Sequence, residues 1–231
     1  MMVVAYLEQT KTCDNYICSP RDFAVKVVHR NKKAFKTYMC KRWISLDTET
    51  AHNHDDANPI AWIYQWAFKF GNDIVIGRRP TEFIRALKTI YDVLELGKDR
   101  LVVVYVHNLS YDVSYLRQYL TEAFGKPHIL AIKPHKYISF AVDGFIFKCS
   151  YKLSNKSLST WANDLGTAHQ KRKEEKAYYD EIHYQDEELS SENWQYQIED
   201  VLVLDECIEK QMEAYGDNIL SIPDRDRKSV V

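Results

Sequence analysis

Residues 43–50 read WISLDTET, and the fold is decided here, because an apolar, strand-like run ends in two carboxylates one residue apart. Alternate residues of a strand share a face, so Asp47 and Glu49 point one way with Ser45, and the apolar residues point the other way. Unpaired carboxylates that line a cleft together tend to stay protonated, and a bound divalent cation reverses that preference. The stretch therefore predicts a strand with one face in the core and a cation site on the other.

Two further acids stand at positions where functional sites gather. Residues 101–112 read LVVVYVHNLSYD, which indicates a strand buried on both faces followed by a helix. Asp112 falls in the first turn of that helix, where negative charge is favoured. Tyr196 and Asp200 lie four residues apart in an amphipathic helix predicted over 192–215, so they share one helical face. Apolar neighbours should bring Asp200 to the edge of the core.

The remaining pattern predicts an α/β domain with a mixed sheet, because hairpin strands precede a helix–strand–helix order. Predicted strands cover 61–70, 73–78, 128–132, 137–142 and 145–151, and predicted helices cover 81–96, 110–124 and 159–165. Turns are expected at 71–72 and 143–144, and Thr81 is the expected N-cap of the first helix. We expect residues 1–40 to form an N-terminal extension or hairpin, 41–220 the main domain and 221–231 a charged tail. Residues 168–191 are polar and predict a loop or lid.

Composition limits the classes of protein without choosing one. The net charge is −2, so there is no global basic signature of nucleic-acid binding. No signal peptide and no membrane-spanning run are expected. The five cysteines indicate reduced structural thiols in a cytosolic protein, and a zinc site that joins Cys13, Cys18 and Cys40 with a histidine is the alternative. The run HNHDD, residues 52–56, is interpreted as a polar turn, with a second metal site as its alternative.

Each acidic motif alone has a structural explanation, and their combination is more specific. Three segments resemble the exonuclease motifs of the DEDD superfamily, in the tyrosine subclass. They are Asp47-Thr48-Glu49, Asn108-Leu109-Ser110-Tyr111-Asp112 and Tyr196-Gln197-Ile198-Glu199-Asp200. The local sequence is most similar to the proofreading domain of family B DNA polymerases, particularly the protein-primed phage and plasmid type. The resemblance covers roughly residues 43–215, and it implies an RNase H-like mixed sheet flanked by helices.

The resemblance implies a 3′→5′ exonuclease that uses two Mg²⁺ or Mn²⁺ ions to remove nucleotides from the 3′ end of single-stranded DNA. In the family pattern Asp47 bridges both ions, Glu49 and Asp200 bind the nucleophile-side ion, and Asp112 binds the other. Tyr196 orients the attacking water. Polymerase motifs are missing, so the resemblance fits an excised or split proofreading domain, or a stand-alone nuclease built like one.

The resemblance also implies a set of DNA contacts. Those that would hold the strand are Thr50, His107, Asn108, Tyr111, Tyr115, Ser150 and Tyr151; the last replaces a Leu of the family pattern. A lysine of the run KRKEEK, residues 171–176, is expected at the scissile phosphate, and Lys176 is favoured over Lys171, Arg172 and Lys173. The implied partners are single-stranded DNA and a polymerase domain or replication proteins, with no membrane, in a cytoplasmic phage, plasmid or bacterial replication setting.

Two alternatives stay open. An RNA-trimming nuclease of the same fold is one, because fold and carboxylates do not fix the sugar. A catalytically silent module that binds nucleic acid or a polymerase is the other.

Overall fold

The computed structural model describes residues 9–30, 33–53, 57–58, 60–171 and 182–219. The strands are β1 (Lys11–Thr12), β2 (Phe23–Arg30), β3 (Lys33–Cys40), β4 (Ile44–His52), β5 (Ala61–Phe70), β6 (Asp73–Gly77), β7 (Arg100–Val106), β8 (His128–Lys133), β9 (Lys136–Val142) and β10 (Phe145–Cys149). The helices are α1 (Pro80–Val93), α2 (Leu109–Phe124), α3 (Tyr151–Ser154), α4 (Leu158–Leu165) and α5 (Ser191–Tyr215).

A mixed sheet runs through the described part of the chain in the order β1-β6-β5-β4-β7-β10-β9-β8. The central strand β7 is parallel to both of its neighbours, β4 and β10, whereas the outer hairpins are antiparallel. Strand β3 pairs in parallel with the beginning of β7, and β2 pairs only with β3 among the described strands. The predicted α/β class with a mixed sheet flanked by helices is confirmed.

The side chains of β7 explain why helices cover both faces of the sheet. Val102, Val104 and Val106 lie in a large core beneath α1 and α2, while Val103 and Tyr105 lie in a second core beneath α4 and α5. All five are at most 2% exposed. Removing that much apolar surface from water is the main stabilising contribution to this arrangement.

Most predicted elements are found with ends shifted by one to three residues. Residues 61–70 form the predicted strand, and glycines with positive φ, Gly71 (64°) and Gly144 (79°), occupy the two predicted turns. Two predictions were wrong in detail. Thr81 is not the N-cap of α1, because Arg79 takes that position and Pro80 begins the helix, where a proline needs no amide partner. The last predicted strand ends at Cys149, since residues 151–154 turn into the short helix α3.

The described parts of segment 168–191 contain no strand and no helix before Ser191. Its second half is held against β5, because the Trp62 indole N–H donates to the His183 carbonyl over 2.8 Å and the Trp62 ring stacks on Tyr184. Arg78 adds donors to the carbonyls of Tyr184 and Glu187. Residues 182–190 are therefore anchored at the end of the sheet where β4 carries its acids. No described helix has the length and apolarity needed to cross a membrane.

Candidate metal centre and nucleic-acid cleft

Three carboxylates from two distant segments meet beside the sheet. Asp47 and Glu49 come from the face of β4 that α5 covers, and Asp200 comes from α5. Each offers an oxygen, and these oxygens all lie within 4.8 Å of one another. Asp200 is 2% exposed, whereas Asp47 and Glu49 are partly open to solvent. Within the described residues this is the one group of His, Cys, Asp and Glu side chains with such spacing.

The electrostatics of this group favour a cation. Burial raises the pKa of Asp47 well above its ordinary value, and the charges of Asp200, Glu49 and Asp112 raise it further. Lys171 opposes that rise. A divalent ion among the carboxylates would favour their ionised forms in the same way. Hard oxygen donors suit Mg²⁺ or Mn²⁺, so the three acids fit the expected kind of ion.

Asp112 approaches from the opposite face of the sheet. It lies in the first turn of α2, is 3% exposed, and accepts a hydrogen bond of 2.7 Å from the Thr48 hydroxyl. Burial raises the pKa of Asp112 to about 7, against hydrogen bonds from Thr48 and from backbone N–H groups that lower it. Asp112 is outside the group of three, yet its charge acts on Asp47. Its role as a ligand of a second ion stays a prediction.

Helix α5 brings two further side chains to the acids. The Gln197 amide, fully buried, donates to Asp47 Oδ2 over 2.7 Å. The Tyr196 ring is 7% exposed and lies under the Lys171 ammonium, 5.3 Å from nitrogen to ring centre. The Lys171 ammonium also contacts Asp200 Oδ2 at 2.8 Å. The charge of Lys171 thus compensates part of the negative charge of the site.

The sequence did not single out Gln197 or Lys171 as residues of this site. Gln197 precedes Asp200 by three residues, which places both on one helical face, so helical spacing could have indicated it. Lys171 was considered but not favoured, because a lysine run in a polar segment does not reveal which member turns inward. Lys176 lies outside the described residues, so its predicted contact with the scissile phosphate stays a prediction.

A local irregularity in the sheet falls at the acids. The pairing of β4 with β5 shifts between Glu49 and Thr50, where β5 carries one extra residue, Tyr64. Bulges re-aim side chains and are over-represented beside active sites. The shift sits at the point where β4 passes from the acids to the expected DNA contact Thr50.

Thr50 joins an aromatic pair at the start of α2. Its hydroxyl is hydrogen-bonded to the hydroxyl of Tyr111, and the Tyr111 ring meets Tyr115 edge-on, with centres 5.4 Å apart. Tyr111 is 46% exposed, and Tyr115 is partly buried. Burial is the main reason that the pKa of Tyr115 is raised. The three predicted DNA contacts therefore form one wall that starts beside Glu49.

A second wall is built around His107, at the carboxyl end of β7. The His107 Nδ1 lies 3.0 Å from the Ser150 hydroxyl, its ring stacks on Trp161, and Tyr151 meets it edge-on. Burial lowers the pKa of His107 to about 4. His107 is therefore neutral at physiological pH, and it can hold a strand by packing and hydrogen bonding but not as a cation.

A cavity of about 630 Å³ adjoins this second wall. Asn108, which begins α2 with a left-handed φ of 74° and makes no side-chain cap bond, lines it with exposed surface. Other lining residues supply positive charge and hydroxyls: Lys136, Lys152, Lys171, Ser157 and Ser159. Lys171 touches both the cavity and Asp200, so the cavity leads to the acids.

Two further predictions from the sequence concern the HNHDD run and the cysteines. Residues 54–56 of the HNHDD run lie outside the described residues, so neither interpretation of that run is tested. Four of the five cysteines are buried and Cys13 is partly buried, all as free thiols.

Neither the family models nor the curated proteins contain a match to this chain. Solved structures do match. Phi29 DNA polymerase complexed with single-stranded DNA superposes with a TM-score of 0.60 at 14% identity, covering 76% of this chain and 32% of the polymerase. The same polymerase complexed with primer-template DNA gives a TM-score of 0.59 at 13% identity, with 76% and 32% covered.

The chain thus spans about a third of the length of the polymerase structures that it matches. At 13–14% identity this likeness shows the fold. The resemblance expected from the three acidic motifs is confirmed at that level: the chain has the α/β fold of the exonuclease domain of phi29 DNA polymerase, a protein-primed family B enzyme.

Proposed function

We propose that the chain is a metal-dependent 3′→5′ exonuclease that removes nucleotides from the 3′ end of single-stranded DNA, as a proofreading domain does. One observation carries the proposal. Asp47, Glu49 and Asp200 present oxygens within 4.8 Å of one another, although Asp200 lies 153 residues after Asp47 and 151 after Glu49. Like charges this close repel one another, and the single ammonium of Lys171 compensates only part of their charge, so the group still favours a further cation.

When bound, Mg²⁺ or Mn²⁺ would lower the pKa of the attacking water and would stabilise charge on the phosphate oxygens. Asp47, Glu49 and Asp200 would hold it, and Asp112 would complete the site from α2. Gln197 fixes the carboxylate of Asp47 through its amide N–H.

Tyr196 and Lys171 act on the reacting groups. An ordinary tyrosine, with a pKa near 10, is a poor base at neutral pH, so Tyr196 orients the attacking water by hydrogen bonding. Lys171 lies above that ring and beside Asp200, where an ammonium would meet the non-bridging oxygens of the scissile phosphate. Lys176 is the alternative for that contact.

The DNA strand enters between the two walls. Tyr111 offers an exposed ring on which a base can stack, and Thr50 orients it. On the other side, Asn108 and Tyr151 reach into the cavity whose lysines suit phosphates. Stacking is tolerant of sequence, which is what a nuclease that trims any 3′ end requires.

The phi29 structures complexed with DNA support a nucleic-acid ligand for this fold. We also propose a polymerase domain or replication proteins as further partners. The chain would then act where DNA is replicated.

The test is nucleotide release from a labelled single-stranded DNA. A 5′ label should give a ladder of shortening products, and a 3′ label should give mononucleotide at once, in Mg²⁺ or Mn²⁺ but not in EDTA. Asp47→Asn should abolish release, while the exposed control Asp22→Asn, with a side chain 86% exposed, should not change it. A reversed label pattern, or release that survives Asp47→Asn, would refute the proposal.

A matched RNA substrate separates the alternatives in the same experiment. Faster release from RNA would favour the RNA-trimming enzyme. Tight binding of DNA without release by the parent protein in either metal would favour the silent binding module.

A further inference from the structure

The hairpin of β2 and β3, residues 23–40, stands off the body of the protein. Burial rises steadily along β3, from exposed residues at 33–36, through partly buried 37–38, to buried Met39 and Cys40. Among the described residues, the base of the hairpin is the part that pairs with the sheet, where Tyr38 and Met39 lie beside Arg100 and Leu101. Arg100 also lies over the Phe23 ring at 3.9 Å. Residues 33–36 of β3 are therefore exposed to solvent, whereas Met39 and Cys40 lie in the cores.

The charge of this hairpin contrasts with that of the chain. Residues 23–40 contain five lysines and arginines and no acid, whereas the whole chain has a net charge of −2. Lys33 and Lys36 are exposed at the outer half. A local excess of this kind attracts a polyanion even when the average charge does not.

Apolar side chains are exposed beside these lysines. Phe35 is 51% exposed, and Val25 and Val27 on the partner strand are 48% and 49% exposed. By strand alternation Phe35 shares one face of the hairpin with Lys33, while Lys36 lies opposite Val27 and shares the other face with Val25 and Val27. Each face therefore sets an exposed lysine beside an exposed apolar side chain. The Phe35 face matches the way proteins bind single strands, with rings for bases and ammonium groups for phosphates.

The hairpin lies at the opposite end of the sheet from the acids. Strand β3 joins the beginning of β7, while Asp47 lies past the end of that strand, because Leu46 pairs with Val106. At about 3.3 Å per residue, Lys36 lies roughly 30 Å from Asp47 along the sheet. A ligand of this surface is therefore not in the site of the acids.

We propose that the β2–β3 hairpin is a second, sequence-independent binding surface for single-stranded nucleic acid, which engages the strand away from its 3′ end. This inference extends the proposed function but does not need catalysis. A strand of a few nucleotides fills the site alone, and only a longer one reaches the hairpin.

The test measures binding in EDTA, where no release can occur, by fluorescence anisotropy with labelled oligothymidylates of about 30 and about four nucleotides. The variants are Lys33→Glu/Lys36→Glu and Phe35→Ala. The matched control is Lys88→Glu/Lys126→Glu, which reverses two exposed lysines elsewhere. Urea midpoints confirm that every variant folds.

We expect both hairpin variants to bind the long oligonucleotide at least about fivefold more weakly, and the charge variant to show a shallower salt dependence. Binding of the short oligonucleotide should not change, and the control should match the parent. Equal losses in hairpin variants and control, or unchanged binding of the long strand, would overturn the inference. The binding assay in EDTA stands apart from nucleotide release, so failure of one proposal is distinguishable from failure of the other.

Discussion

Replacing Asp112 by Asn should change how the stability of the metal-free protein depends on pH. The pKa of Asp112 is raised by burial from 3.8 to about 7, so the folded protein holds its proton more tightly than the unfolded chain. Below 3.8 both states are protonated and the group has no effect. Stability is then lost as pH rises from 3.8 through about 7, and it levels off above that. Asparagine cannot ionise, and its oxygen can still accept the Thr48 hydroxyl.

The two pKa values set the magnitude. One pKa unit corresponds to 1.36 kcal/mol, so the ionised Asp112 lowers the free energy of unfolding by about 4 kcal/mol at pH 8 and by about 2 kcal/mol at pH 5.5. The advantage of Asp112→Asn over the parent should therefore grow by about 2 kcal/mol between these two conditions. The substitution also removes a negative charge that repels Asp47, and this too makes the variant more stable than the parent at high pH.

The assay is urea unfolding in EDTA, followed by tryptophan fluorescence at both pH values. Asp22→Asn is the control, because a carboxylate that is 86% exposed should leave the pH dependence unchanged. Adding Mg²⁺ or Mn²⁺ should restore stability to the parent at pH 8, since an ion that binds only the folded state stabilises it. Parallel pH profiles for the parent and Asp112→Asn would refute the reasoning about burial.

Three further predictions concern the other side chains of the site. Gln197→Leu removes the donor to Asp47 and should weaken Mn²⁺ binding, measured by calorimetry, about 10- to 100-fold. Gln197→Glu adds a charge but no donor, so it should not restore the urea-unfolding midpoint of the parent protein in EDTA. Lys171→Met removes the ammonium from Asp200, so Mn²⁺ affinity should rise about two- to fivefold as nucleotide release slows; weaker Mn²⁺ binding would contradict this. Tyr111→Ala should weaken binding of a short single-stranded oligonucleotide by about 1–3 kcal/mol, and Tyr111→Phe should retain most of it; equal losses would exclude stacking.

The strands and helices could be predicted from the sequence because periodicity is a local property. The aromatic-rich run at 61–70 and the unbroken apolar run at 101–106 indicated strands that the structure contains, to within a residue. Helix caps were harder to predict, because both Thr81 and the Arg79-Pro80 pair are plausible starts and the choice depends on where β6 ends.

The sequence by itself determined which acids share a face within each element. Strand alternation put Asp47 and Glu49 on one face, and helical spacing put Tyr196 and Asp200 together. Only the tertiary structure decided that Asp112 reaches the site from the other face of the sheet, against Thr48, and that Gln197 and Lys171 complete the surroundings of the acids. The physical reason is range: backbone geometry fixes neighbours within one element, whereas contacts between elements depend on how two separate cores pack against β7.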